Sequence, residues 1–166
     1  QIPLIGGYNA QSRFNVDGYL NHSSRADNVR AYTQVFRDGR LEAVGTNISY
    51  PVYEQNENSP LALRDGLLEH QVFEIIKYYL SFCNSLNIEQ PIWMYSALID
   101  CEGTRICTDR AFRDLSDCSI DRSPAFLPEI KLSVSDCNSI KGIQPWCDYL
   151  WQSVGFERSF SFDNNG

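Results

Sequence analysis

Ala31-Tyr32-Thr33-Gln34-Val35-Phe36-Arg37-Asp38-Gly39-Arg40-Leu41-Glu42-Ala43-Val44 is the stretch on which the fold turns. Strand-forming residues flank Asp38-Gly39, a dipeptide that supplies the positive φ angles of a two-residue hairpin loop. With such a loop Arg37 pairs with Arg40, Phe36 with Leu41, Val35 with Glu42 and Gln34 with Ala43. Tyr32, Gln34, Phe36, Leu41 and Ala43 then share one face. Thr33, Val35, Arg37, Arg40, Glu42 and Val44 share the other, where two opposed arginines repel unless Glu42 sits between them. Paired guanidinium groups hold carboxylate or phosphate by forked hydrogen bonds, so Arg37, Arg40 and Glu42 are the candidate binding site. The competing reading is a solvated sheet face neutralised by its own glutamate.

The same turn signal recurs upstream. Asp17-Gly18 separates Arg13-Phe14-Asn15-Val16 from Tyr19-Leu20-Asn21-His22, so the first third of the chain reads as antiparallel hairpins. Residues 1–11, punctuated by Pro3, Gly6 and Gly7, read as a linker or N-terminal arm. Residues 12–166 read as a single α+β domain, its hairpins forming a sheet packed against two main helices. The chain opens on Gln1 and holds one methionine, Met94, as expected of a piece of a longer protein.

Downstream, residues 47–66 are rich in Pro, Asn and Glu and aperiodic, which predicts a surface connection. Leu68, Val72, Ile75, Ile76, Tyr79, Cys83 and Leu86 then recur at helical spacing, with Glu69, His70, Glu74, Lys77, Ser81 and Asn84 on the polar face. After Pro91, residues 92–99 are apolar on both alternating faces, as in a central strand. Residues 109–128 mix charges without a period and predict a long mobile loop. Ile130, Leu132 and Val134 alternate with polar residues in one more strand. Ile143, Trp146, Cys147, Leu150, Trp151 and Val154 mark a last helix ending at Gly155, with Pro145 either its first residue or a kink.

Composition narrows the function classes. Fourteen Lys plus Arg against 21 Asp plus Glu give a net charge of −7, so phosphate neutralisation cannot drive tight nucleic-acid binding by the whole chain. No apolar run reaches the roughly 20 residues that span a bilayer, and no signal peptide opens the chain, so a soluble, cytoplasmic protein is expected. Six cysteines without a CxxC pair predict reduced, structural thiols, and neither a metal site nor a cofactor is expected.

No phosphate-cradling loop, nucleophile elbow or Cys–His pair at a catalytic spacing is present. No catalytic residue is assigned. His70, beside Glu69 and Glu74, lacks a second soft ligand and reads as a surface histidine. Trp93, Tyr95, Trp146 and Trp151 could stack on bases, but they fall on predicted core stripes. Phe156, Phe160 and Phe162 follow the last helix and form a second candidate interaction surface, folding back on the domain or docking elsewhere.

Three segments carry a family resemblance: Arg13 through Leu20, Tyr32 through Val44, and the tail from Trp151 to Gly166. Together they resemble the C-terminal region of bacterial proteins whose N-terminal part is a Schlafen-like, AlbA-type DNA-binding domain, often labelled helix-turn-helix or ATP-binding. The resemblance implies a non-catalytic accessory domain for partner binding, oligomerisation or ligand sensing, with nucleic acid met only indirectly through the N-terminal domain. Two alternatives stand beside it: direct nucleic-acid contact through the Arg37/Arg40 hairpin, and a hydrolase or nuclease using carboxylates such as Glu42 and Glu69.

Overall fold

The computed structural model describes residues 4, 10–25, 28–46, 48–51, 59, 61–64, 66–107 and 118–162. Most of the arm assigned to residues 1–11 lies outside them. The fold is α+β, with antiparallel hairpins and two main helices.

Four strands, β1 (Gln11–Phe14), β2 (Gly18–Arg25), β3 (Asn28–Phe36) and β4 (Leu41–Gly45), form an antiparallel meander in sequence order. Its second hairpin differs from the expected register. Val35 pairs with Leu41, Gln34 with Glu42, Thr33 with Ala43 and Tyr32 with Val44. The cause is a three-residue loop: Gly39 N donates to Phe36 O at 3.1 Å, and Phe36 N donates to Arg40 O at 2.9 Å. Gly39 alone takes a positive φ, 90°, so a turn followed by a one-residue bulge replaces the two-residue loop. A slip of one residue exchanges the faces of β4, and Leu41 and Ala43 now lie with Thr33 rather than with Phe36.

The first hairpin also has a longer loop, since Phe14 pairs with Tyr19. Asn15 Oδ1 accepts from the amides of Asp17 and Gly18 at 3.1 and 2.8 Å, which closes the turn. Gly18 is required there: a Cβ would lie 2.0 Å from the Val35 carbonyl oxygen. The inward face of the meander is largely polar, for Asn21, Ser23 and Thr33 are buried there beside Ala31. Thr33 and Tyr79 join their hydroxyls at 2.8 Å, which ties the sheet to the first helix.

That helix, α1 (Leu67–Ser85), forms where the apolar spacing predicts it. It buries more than the one stripe: Phe73, Ile76 and Leu80 enter the main core, while Tyr79 serves the meander. Residues 47–66 are not merely a surface connection. Within them β5 (Ser49–Pro51) and β6 (Leu61–Arg64) pair antiparallel, Ala62 and Leu63 are buried, and β6 runs parallel to β8 (Arg105–Cys107).

A two-stranded ribbon joins β7 (Ile92–Leu98) to β9 (Ala125–Leu132). The strand at residues 92–99 is therefore not central. Its residues alternate inward and outward because only one face of the ribbon is covered. Residues 118–128 also depart from the predicted loop: Ser119 bridges Arg105, Ile120 is buried, and β9 starts at Ala125. Residues 108–117 lie outside the description. Val134 belongs to a short 3-10 turn rather than to the strand. Finally α2 (Gln144–Gln152) begins with Pro145 in its first turn and lays Trp146, Cys147, Leu150 and Trp151 on the core. Trp146 Nε1 donates to Ser96 Oγ at 2.7 Å, fixing α2 under the ribbon. Among the described residues no helix is long and apolar enough to cross a membrane.

Candidate docking surface

The arginine hairpin does not assemble as a triad. Arg37 donates through Nε to the Val16 carbonyl at 3.0 Å, and its own amide bonds Asp17 O, so it staples the two meander turns together. Arg40 pairs with Asp38 at 2.8 Å and lies 5.1 Å from the centre of the Phe36 ring. Glu42 accepts from the Tyr32 hydroxyl at 2.5 Å. That bond, then burial and the charge of Glu42, push the Tyr32 pKa up to about 12. Each of the three has its own neighbour, because the one-residue slip puts Glu42 opposite Gln34 and takes Arg37 into the turn.

Glu69 is the second departure. It stands in the polar series of α1, yet it is only 1% exposed. Its carboxylate accepts from Trp151 Nε1 at 2.9 Å, from Ser159 Oγ at 2.6 Å and from Ser161 Oγ. Asp148 accepts from the Ser159 amide at 3.0 Å. The Cys147 thiol lies in the same nest, and burial pushes its pKa up, with the Glu69 charge adding to the shift. A carboxylate held by so many donors is a structural tie between α1, α2 and the tail, and it leaves little freedom to take a proton from a substrate. The sequence held a sign of this: Glu69 precedes Phe73, Ile76 and Leu80 by four, seven and eleven residues, the spacing of one helical stripe. Glu42 and Glu69 therefore occupy different settings, one exposed on the meander and one interior.

The tail aromatics fold back. Phe156 and Phe160 lie 5.2 and 4.6 Å from Trp151 and 5.3 Å from each other, and with Phe162 they pack half-buried against the core. His70 is exposed, and His22 is half-buried opposite Tyr32. Cys101 donates its thiol to the Leu98 carbonyl at 3.3 Å, and Cys83, Cys101, Cys118 and Cys147 are free thiols. Among the described residues no group of three or more His, Cys, Asp or Glu is placed to hold a metal ion.

What the residues do present is the outer face of the β7–β9 ribbon. Trp93, Tyr95, Ile99 and Phe126 are 52%, 72%, 74% and 79% exposed. Trp93 pairs with Lys131 and Ala97 with Phe126; between them the register shifts, and there Tyr95 reaches Glu129, while Ile99 follows the end of β7. Lys131 Nζ lies 5.7 Å from the Trp93 ring centre, and Tyr95 donates its hydroxyl to Glu129, which raises the Tyr95 pKa. Sequence reasoning places Trp93 and Tyr95 in the core because the run 92–99 carries apolar residues on both alternating faces. The partner strand carries the correcting signal, since Glu129 and Lys131 alternate with Ile130 and Leu132 and mark a wet face.

No family model matches this chain, no curated protein matches it, and no solved structure matches it.

Proposed function

We propose that this chain is a non-catalytic accessory module that docks protein surface through the outer face of the β7–β9 ribbon, within a larger, nucleic-acid-associated bacterial protein of the Schlafen-like, AlbA-type kind. The observation that carries the reading is the row of large apolar side chains on that face. A soluble domain seldom leaves so many aromatic residues contiguous and uncovered unless they meet a partner. Aromatic residues are enriched at interface centres, and here Lys131 lies at the edge of the row while Glu129 takes the Tyr95 hydroxyl within it.

The experiment is photo-crosslinking in the full-length protein with benzoylphenylalanine at position 126, and at position 14 as a control. Phe14 is equally exposed but lies on the meander. Crosslinks to polypeptide are expected from position 126 and are expected to disappear with Tyr95→Asp. Absence of crosslinks from position 126, or crosslinks equally strong from position 14, would overturn the reading.

A further inference from the structure

We infer that the occupant of the ribbon face is a second copy of the same chain, related by a two-fold axis that lies in the interface parallel to the strands. This rests on the docking function proposed above and names its partner.

Three observations favour self-association. The first is area. Aromatic side chains offer roughly 150–250 Å² each, so Trp93, Tyr95 and Phe126 at their observed exposures, with Ile99, present on the order of 500–600 Å². With the neighbouring Lys131, Glu129 and Ala97 the face approaches the roughly 800 Å² that each partner gives to a standard protein interface.

The second is charge. The chain carries −7, but the face holds one lysine and one glutamate and is itself neutral. It suits neither a polyanion nor a strongly basic protein, and it meets its own copy without like charges opposed.

The third is the row pattern. A two-fold axis running between β7 and β9 lays β7 of one copy on β9 of the other, so the Trp93–Lys131 and Ala97–Phe126 pairs are repeated between copies on either side of the register shift at Tyr95. Trp93 meets the ammonium of Lys131, Tyr95 meets the carboxylate of Glu129, and small Ala97 receives the ring of Phe126. The first two are contacts the ribbon already makes within one chain, and the third joins residues that face each other across it. Face-to-face sheets pack with strands within about 30° of each other, which keeps the central rows, Tyr95 with Glu129 and Ala97 with Phe126, in register.

The test is sedimentation velocity on the full-length protein across micromolar concentrations, at low and at 0.5 M salt, a range set by the screening of charge repulsion. The wild type is expected to shift from monomer to dimer with concentration, and more readily at high salt, because salt screens the repulsion between two acidic chains. Ala97→Arg, at an exposed strand position, is expected to weaken association at least tenfold while leaving the circular dichroism spectrum unchanged. Phe14→Arg is expected to behave as wild type. A protein monomeric throughout, or a dimer that Ala97→Arg leaves intact, overturns the inference. If position 126 then crosslinks to another part of its own polypeptide, the docking function survives and the dimer alone falls; if it crosslinks to nothing, both fall.

Discussion

The meander turns Asn21, Ser23 and Thr33 inward, whereas the remainder of the chain turns in Leu63, Ile76, Leu132, Ile143 and Trp151. The two regions are joined through polar contacts such as Thr33 with Tyr79, while the second is closed by a cluster of aliphatic and aromatic side chains with the Glu69 carboxylate inside it. A net intramolecular hydrogen bond contributes about 0.5–1.5 kcal/mol, and a large apolar side chain about 1.5–3 kcal/mol on burial. The meander thus rests on its own strand ladder and on directional contacts that must all be satisfied together. The second region rests on packing and carries the greater part of the stability.

The largest expected effect lies in the packed region. Trp151→Ala removes a buried ring that meets Phe156 and Phe160 and donates to Glu69, and it is expected to cost about 3–5 kcal/mol by chemical denaturation. A loss below 1 kcal/mol would place the core elsewhere. Next comes Glu69→Ala, which strips the acceptor from Trp151 Nε1 and Ser159 Oγ and is expected to cost on the order of 3 kcal/mol. Limited proteolysis should then cut the tail near Arg158 first; an unchanged tail would show that Glu69 does not hold it.

Thr33→Val probes the other region. It deletes the bond to Tyr79 at constant shape and is expected to cost about 1 kcal/mol, visible as faster amide exchange in β2 and β3 with the core amides unchanged. Equal acceleration in both regions would mean that they open as one. The mildest probe is alkali. Tyr32, through its bond to Glu42, and Tyr79, through burial, are both pushed up to about 12, whereas an unfolded tyrosine ionises near 10. The folded state favours the neutral phenols, so their contribution is complete below pH 10 and is lost as pH rises from about 10 towards 12. Exchange in the meander is expected to quicken in that window, and Tyr79→Phe to remove part of the effect.

The elements with strong periodicity were legible in the residues: α1, the last helix with its opening Pro145 and closing Gly155, and the two hairpins. Register was not, and the reason is local. Asp-Gly serves a two-residue loop and also a three-residue loop with a bulge, and the choice at Asp38-Gly39 moves every residue of β4 to the other face. The arginine triad depended on that choice. Burial was misread where a residue's type overrode its position: Glu69 lies on an apolar stripe, and its charge concealed this. Trp93 and Tyr95 gave the opposite error, since an apolar residue at an exposed position looks like core until the partner strand is known.

The closing of the nest around Glu69 by Ser159 and Ser161 bears on how the chain acquires its shape during synthesis. A carboxyl group is costly to bury before its hydrogen-bond partners arrive, and two of them sit about ninety residues later in the sequence. The meander strands are neighbours in sequence and can pair early, with the tie from Thr33 to Tyr79 of α1 following. The nest must wait until residue 161 has emerged, so Ser159 and Ser161 time the completion of the interior.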